Sequence, residues 1–125
     1  MIPKIIHIIV GPKSTPLIDR CINSWLPLKD LDFEIRFWDD FKINEFISNH
    51  YTFALDAVLN ARNHAEVADI SRYAIVHFYG GYYVVWDIEL LDVDKFLELD
   101  RNNPAGYLIQ DPINQTLASE AFSAE

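Results

Sequence analysis

Residues 65–91, AEVADISRYAIVHFYGGYYVVWDIELL, contain the pattern that decides the fold. Apolar residues recur at helical spacing from Ala65 to Tyr79, and Gly80-Gly81 ends this helix, since glycine tolerates the left-handed backbone that follows a helix end. The apolar run Tyr82–Trp86 then predicts a buried strand that continues from Asp87 to Leu91. A helix that leads straight into a buried strand is typical of α/β domains, in which helices cross over between parallel strands.

Strands and helices alternate along the rest of the chain as well. Apolar and β-branched runs predict further strands at residues 4–10, 33–38 and 106–110, and helical spacing predicts helices at 17–25, 41–48, 51–61 and 94–99. No linker or internal repeat divides the sequence. We therefore predict a single α/β domain over residues 1–125, with a mostly parallel sheet and helices on both faces.

The composition narrows the classes of partner and location. A net charge of −9 with only ten scattered basic residues argues against a nucleic-acid partner, because phosphate binding needs clustered Lys and Arg. A polyanionic ligand would instead need a metal ion or a local cationic patch. No apolar run is long enough for a transmembrane segment, the start of the chain lacks signal-peptide features, and Cys21 is the one cysteine. We expect a cytoplasmic protein, with peripheral attachment to a membrane as the alternative.

The helix predicted over residues 65–79 is apolar on nearly every side, so we expect it to be largely buried, yet two charged residues interrupt it. Asp69 and Arg72 are three positions apart and therefore lie on one face of the helix. Buried charges are costly unless they are paired or bonded to a ligand. The pair is consistent with two roles: an ion pair within the helix, or an acceptor and a donor for the hydroxyl groups of a bound sugar.

An acidic pair lies where the strand after Gly81 is predicted to end. Asp87 and Glu89 are two positions apart, so a continuing strand would point both carboxylates to one face, roughly 6.6 Å apart. Open α/β sheets bind ligands at the carboxyl ends of their strands, and carboxylate oxygens suit Mg²⁺ or Mn²⁺. A D-x-E sequence alone is common by chance, but its place after a buried strand makes it a candidate metal site.

Three aromatic residues have more than one interpretation. His7 lies within an apolar strand and is expected to be a core histidine with satisfied hydrogen bonds rather than a metal ligand. Trp38 is expected in the core, with Asp39-Asp40 in the turn that follows it. Trp86 either packs against a neighbouring helix or covers a ligand.

Six segments of the chain form a specific combination when they are taken in order. They are Ile2–His7, Cys21–Trp25, Phe37–Asp40, Ala68–Tyr73, Tyr79–Tyr83 and Trp86–Glu89. Their order and spacing resemble those of the sugar-binding glycosyltransferases with a DXD motif. This group, similar to glycosyltransferase family 32, includes Och1-type mannosyltransferases and capsular polysaccharide transferases.

The resemblance implies a GT-A-like fold, which is a Rossmann-type α/β domain, truncated here at its C-terminus. It also implies an enzyme that uses Mn²⁺ or Mg²⁺ to hold the diphosphate of a UDP- or GDP-linked sugar and transfers the sugar to a glycan acceptor. The site residues it implies are Asp69, Arg72 and Gly81 for the donor sugar, Ile8, Ile9 and Val10 for the nucleotide, and Asp87 with Glu89 for the metal.

Two positions depart from the family pattern. Val85 stands where the first aspartate of the DXD motif is expected, and Val10 stands where relatives usually have a tryptophan that stacks on the base. Both losses should weaken donor binding, the stacking contact alone by about 1–3 kcal/mol. The alternative function is therefore a degenerate domain that binds a nucleotide sugar weakly or serves as an interaction module.

A phosphoacceptor domain of the receiver type is an alternative from another class. The length, the α/β order and the acidic residues at strand ends suggest it. However, the pair Asp39-Asp40 follows the second predicted strand rather than the first, and Lys95 falls in a helix rather than at the end of a late strand.

Overall fold

The computed structural model describes residues 2–11, 15–61, 64–85, 88–102, 106–110 and 117–124. Within these ranges, strands and helices alternate as predicted for an α/β fold. The strands are β1 (Ile5–Ile9), β2 (Glu34–Trp38), β3 (Gly81–Val85), β4 (Gly106–Gln110) and β5 (Leu117–Ala124). The α-helices are α1 (Pro16–Asn23), α2 (Asp40–His50), α3 (Leu55–Leu59), α4 (His64–Tyr79) and α5 (Val93–Asn102), and 3₁₀ turns at Leu26–Leu31 and Thr52–Ala54 follow α1 and α2.

The described strands form one sheet in the order β2-β1-β3-β5-β4. β1 is parallel to both of its neighbours, so that Ile9 pairs with Trp38 on one side and with Val85 on the other. β5 is antiparallel to β3 and to β4. The prediction of a mostly parallel sheet is thus confirmed for β1, β2 and β3. β5 was not predicted; it is antiparallel to both of its neighbours, because residues 111–116 are too few for the crossover that a parallel neighbour of β4 needs. An antiparallel strand at this position also departs from the sheet of receiver domains.

The helices begin where the sequence places good capping residues. Thr15 Oγ1 accepts a hydrogen bond from the backbone N–H of Ile18 at 3.2 Å and starts α1. Asp39 Oδ1 accepts from the N–H of Lys42 at 2.8 Å and starts α2. Asp39 therefore caps a helix directly after β2, which gives the acidic residue at this strand end a structural role.

Helix α4 is less buried than its composition predicts. Its inner face is covered, and Ile75 is completely buried. Asp69, Tyr73 and His77, which are spaced four residues apart, nevertheless form an exposed stripe. The expectation of a helix buried on nearly every side is therefore wrong, because the sheet and the neighbouring helices α2 and α3 leave one face of α4 in solvent.

The two faces of the sheet carry separate hydrophobic clusters, because side chains alternate along each strand. The prediction of helices on both faces is confirmed. The first cluster, on the α2 and α4 side, includes Ile9, Trp38, Ile43, Ile47, Ile75, Val76 and Tyr83. The second, on the α5 side, includes Ile6, Ile8, Trp25, Leu28, Phe33, Tyr82, Val84 and Phe96. Among the helices of the described ranges, none has the length and apolar character needed to cross a membrane.

His7 is fully buried in β1 and joins three parts of the chain. Its Nδ1 accepts a hydrogen bond from Nε1 of Trp38 at 3.1 Å. The proton of the neutral ring therefore lies on Nε2, which donates to the carbonyl oxygen of Gly80 at 3.0 Å. Burial lowers the pKa of His7 from 6.5 to about 4; the bond to Gly80 and the charge of Glu34 raise it, and Arg36 lowers it further. The prediction of a satisfied core histidine is confirmed.

Two glycines allow the sharp passage from α4 into β3. Gly80 has a φ of 68°, and its N–H donates to the carbonyl oxygen of Val76 at 2.7 Å, as at many helix C-termini. Gly81 has a φ of 98°, and a Cβ atom placed on it would lie 2.5 Å from the carbonyl oxygen of Ile5. Because only a residue without Cβ fits here, Gly81 lets the start of β3 lie directly against β1.

The stability of the fold should decrease as the pH falls from 6.5 toward about 4. The unfolded chain protonates His7 near its ordinary pKa, whereas the folded chain keeps the ring neutral, so acid favours the unfolded state. We expect the His7 contribution to the free energy of unfolding, measured in urea, to drop by about 2 kcal/mol between pH 8 and about pH 5. His7→Gln should lack this contribution, and His50→Gln, at an exposed histidine, should retain it. Titration of the native His7 ring near its ordinary pKa, followed by NMR, would contradict the prediction.

Gly81→Ala should destabilise the fold strongly. Both the positive φ and the close approach of the Ile5 carbonyl oppose a side chain at this position. We expect the free energy of unfolding in urea at neutral pH to fall by at least about 2 kcal/mol. A loss below about 0.5 kcal/mol, the range of ordinary surface substitutions, would show that β1 and β3 can move apart without cost.

Candidate functional site

The carboxyl ends of β1, β2 and β3 lie side by side at one edge of the sheet. The parallel register aligns Ile9, Trp38 and Val85 there, and the N–H of Val10 donates to the carbonyl oxygen of Trp38 at 2.8 Å. Open α/β sheets bind ligands outside the carboxyl ends of their strands. This edge, with α4 on one side of the sheet and α1 on the other, is the candidate site.

The three residues predicted to lie beside the nucleotide are at this edge, but two of their side chains face the core. Ile8 and Ile9 are 1% and 2% exposed and belong to opposite clusters. Val10 is half-buried against the second cluster. Val10 therefore has the most accessible side chain of the three, and their role in nucleotide binding stays a prediction.

Asp69 and Arg72 form an ion pair within α4. Nη2 of Arg72 donates to Oδ1 of Asp69 at 2.5 Å, and Nε of Arg72 donates to the carbonyl oxygen of Ala68 at 3.1 Å. The arginine side chain is 6% exposed, whereas that of the aspartate is 68% exposed. The pair thus has a buried cationic end and an open acidic end, and its contact with a donor sugar stays a prediction.

The guanidinium group of Arg72 lies over the ring of Tyr83, with Cζ 5.0 Å from the ring centre. Tyr83 is fully buried in β3, close to the end of the strand at Val85. A cation over an aromatic ring is attracted to its face, and this contact, with the ion pair to Asp69, offsets the cost of burying the charge. Arg72 therefore places a positive charge on the α4 side of β3, near the carboxyl end of the strand.

Residues 88–90, which follow β3, lie against the end of α1, on the side of the sheet opposite α4. Nε1 of Trp25 donates to the carbonyl oxygen of Ile88 at 2.9 Å, and the N–H of Leu90 donates to Oγ of Ser24 at 2.7 Å. Ile88 and Leu90 pack against the second cluster. The predicted continuation of the strand is therefore wrong for residues 88–91, because the side chains of Ser24 and Trp25, rather than a neighbouring strand, bind this part of the backbone. Asp87, the first residue of that continuation, lies outside the described residues.

Glu89, predicted as a metal ligand together with Asp87, is bound by α1. Nε of Arg20 donates to Oε1 of Glu89 at 3.1 Å, and the glutamate side chain is 27% exposed. Since residues 88–92 form no strand, strand alternation does not align Glu89 with Asp87. Asp87 and Trp86 lie outside the described residues, and the metal site stays a prediction.

Carboxylate groups lie near the carboxyl edge of β1, β2 and β3, and divalent cations prefer oxygen ligands of this type. A carboxylate such as that of Glu89 suits Mg²⁺ or Mn²⁺. Within the described part of the chain, however, no group of three or more His, Cys, Asp or Glu side chains could hold a metal ion. A metal at this edge would therefore need Asp87, water or the oxygens of a ligand to complete its coordination.

Gly81 lies at the amino end of β3, roughly 13 Å along the strand from its carboxyl end. Its backbone conformation and the nearby Ile5 carbonyl explain the glycine without any ligand. Its predicted contact with a donor sugar stays a prediction.

Sequence reasoning missed three residues that shape this edge. Tyr83 was expected only as part of a buried strand, and helical spacing gives no sign that Arg72 covers it. Ser24 and Trp25 belong to one of the segments that carry the family resemblance. The resemblance of that segment to the family was the one sign in the sequence that these residues matter. Their structural role became clear only from their contacts with residues 88–90.

Comparison with known proteins gives two relatives of similar identity. Over 89 residues the chain is 33% identical to inositol phosphoceramide mannosyltransferase 3 of Schizosaccharomyces pombe, a match that covers 70% of this chain and 24% of the relative. Over 91 residues it is 33% identical to an uncharacterized glycosyltransferase of Acanthamoeba polyphaga mimivirus, a match that covers 70% of this chain and 36% of the relative. No family model and no solved structure matches the chain. The chain is thus similar, over most of its length, to proteins named as glycosyltransferases, and it spans about a quarter to a third of theirs.

Proposed function

We propose that this chain is the donor-binding part of a metal-dependent glycosyltransferase of the GT-A type. It would bind a UDP- or GDP-linked sugar at the carboxyl edge of β1 and β3, for transfer to a glycan acceptor. The names of the two relatives support transfer of a sugar, and one of them favours mannose among the donors to be tested. The observation that carries the proposal is the buried Arg72 beside the end of β3.

Arg72 supplies what an acidic chain needs in order to bind an anionic ligand. The net charge of −9 repels a diphosphate in general. A guanidinium held over Tyr83 and paired with Asp69 is already ordered, so ligand binding would not have to order it. Asp69, with its exposed carboxylate, offers acceptors for sugar hydroxyls on the outer side of the same pair.

The carboxylates after β3 would hold the metal ion. Asp87 and Glu89 provide oxygen ligands, and Glu89 would have to exchange its bond to Arg20 for the metal. A bound Mn²⁺ or Mg²⁺ supplies stabilisation of the negative charge that develops on the leaving diphosphate. The side chains themselves would bind and orient the donor. Asp69 and Arg72 of α4 would do so from one side of β3, and Asp87 and Glu89 from the segment that follows the strand.

A degenerate domain that binds a nucleotide sugar without turnover is the second candidate. Val85 and Val10 favour it, because both are half-buried apolar residues at the edge where a carboxylate and a stacking ring are expected. Calorimetric titration with UDP- and GDP-sugars, followed by a donor-hydrolysis assay, separates the two. Binding without hydrolysis would leave only the second.

Asp87→Asn should abolish metal-dependent donor binding while the fold stays intact. The amide keeps the size of the side chain but removes the negative charge that strengthens binding of a divalent cation, so we expect affinity for a UDP- or GDP-sugar with Mn²⁺ to fall by about 100-fold. Titration calorimetry with and without Mn²⁺ measures this, with Asp56→Asn, at an exposed aspartate of α3, as the control. Parent-like binding of donor and Mn²⁺ by Asp87→Asn would exclude this metal site.

Val85→Asp should strengthen donor binding. Val85 packs against the same cluster as Tyr83, so the new carboxylate would lie on the face of β3 that carries Arg72. We expect a gain of about tenfold in affinity with Mn²⁺, the effect of one hydrogen bond to a charged group. Val85→Asn is the matched control, because it has the same shape without the charge. Equal affinities for the aspartate and asparagine variants would mean that position 85 does not face the donor.

A further inference from the structure

β2 forms one margin of the sheet, and its outer edge has no strand beside it in the described ranges. The N–H of Glu34 and the carbonyl oxygen of Trp38 bond to the residues just before and just after β1, each at 2.8 Å. Along a paired strand, successive residues direct their backbone groups to opposite sides. Ile35 and Phe37 therefore direct their N–H and C=O groups away from β1, toward the outer edge.

A cavity of about 360 Å³ lies along this outer edge. It is lined by Ile35, Arg36, Phe37, Trp38 and Lys42. Lys42, in the first turn of α2, places its Nζ 3.4 Å from the carbonyl oxygen of Phe37. No other described residue bonds to the outward backbone groups of Ile35 and Phe37. Open groups of this kind pair with another extended chain, so the cavity has the backbone chemistry of a site for an added strand.

Two cations lie on one side of this edge. The guanidinium of Arg36 lies over the ring of Tyr79, with Cζ 4.5 Å from the ring centre, and its Nε donates to Glu34 at 2.7 Å. Its Nη groups bond to none of the described residues, and its side chain is 34% exposed. Lys42 is exposed as well, and the cavity lining contains no acidic side chain. A carboxylate in the cavity would therefore meet two positive charges that are only partly neutralised.

The opposite side of the edge is apolar. Ile35 and Phe37 are half-buried and pack against the second cluster, whereas Arg36 and Lys42 lie on the side of the first. Side chains of neighbouring strands that share a face lie directly opposite one another. An added strand would thus place one residue beside the cations, and the residues before and after it next to the two apolar side chains.

We propose that the outer edge of β2 binds an extended segment of a partner protein in which acidic and apolar residues alternate. The segment adds to the sheet as a further strand. Its backbone bonds to the outward groups of Ile35 and Phe37, and an acidic side chain bonds to Arg36 and Lys42. Lys42 exchanges its long bond to the Phe37 carbonyl for the incoming carboxylate, which leaves that carbonyl open to the added strand. The site is separate from the proposed donor site and needs neither metal nor nucleotide.

A second copy of this chain fits the edge less well. Pairing over the full length of two antiparallel β2 strands would set Arg36 of one copy directly opposite Arg36 of the other. Like charges directly opposite one another destabilise a sheet. A carboxylate at that position meets the opposite charge instead, which favours an acidic segment as the occupant.

Peptide titration followed by NMR tests the proposal. The probe is a capped hexapeptide of alternating valine and glutamate, added to the isotope-labelled chain without metal or nucleotide. We expect the amides of Ile35 and Phe37 to shift and, at a peptide concentration ten times the Kd, to exchange with solvent about tenfold more slowly. Failure of this peptide to bind would overturn the proposal.

Methylated peptides test the backbone pairing without any change to the protein. Only one alternating set of peptide amides, those of the valines or those of the glutamates, can face β2. N-methylation of that set should abolish binding, because it removes the donors to the edge. Retained binding by both methylated peptides would show that no strand is added.

The charge of the segment is tested separately. Replacing glutamate by glutamine in the peptide should weaken binding about tenfold, because it removes a charge-assisted hydrogen bond. Lys42→Gln should reduce this preference to about threefold, since Arg36 remains, and Lys95→Gln, at an exposed lysine of α5, should leave it unchanged. Equal affinities of the parent chain for both peptides would overturn the acidic character of the segment.

The peptide-free chain distinguishes the two occupants. In sedimentation velocity we expect a monomer, with amide exchange at Ile35 and Phe37 independent of protein concentration. A dimer that forms as the concentration rises, with those two amides protected, would overturn the partner segment in favour of a second copy.

Discussion

One neutral imidazole sets the arrangement of the sheet on which the candidate edge depends. His7 accepts from Trp38 in β2 and donates to Gly80 in the turn that starts β3, so a single buried ring fixes three segments relative to one another. Gly81 then brings β3 against β1. Because β3 is a short strand, its register at this end also determines where Val85 lies at the other end. The position of the candidate edge is thus fixed far from the edge itself.

The two sides of β3 contribute different physical properties to that edge. On the α4 side, Arg72 supplies a buried positive charge whose cost is offset by Asp69 and by the ring of Tyr83. On the α1 side, Ser24 and Trp25 supply hydrogen bonds that order an irregular backbone. The positive charge therefore comes from α4, and the ordered backbone depends on the two residues that follow α1. The residues of α4 alone, or those at the end of α1 alone, are not enough to define the site.

The sequence predicts those parts of the structure that local pattern controls. Glycine positions and helical spacing located α4 and the start of β3. The spacing of Asp69 and Arg72 left two alternatives, an ion pair and a sugar contact, of which the ion pair is present. The absence of strand structure at residues 88–91 could not be predicted, because the alternating apolar residues continue to Leu91 and the competing hydrogen bonds come from Ser24 and Trp25, distant in sequence. β5 was missed since LASEAFSA, residues 117–124, has no β-branched residue and depends on its neighbours for pairing.

The position of β5 has a consequence for how the chain is made. Residues 117–124 form the last described strand, yet they lie between β3 and β4 rather than at the margin of the sheet. During synthesis on the ribosome, the central strand β3 has an open edge until this late segment emerges. Open strand edges are templates for pairing with other chains. A shortened chain that lacked residues 117–124 would leave two such edges, those of β3 and β4, and would be prone to aggregate.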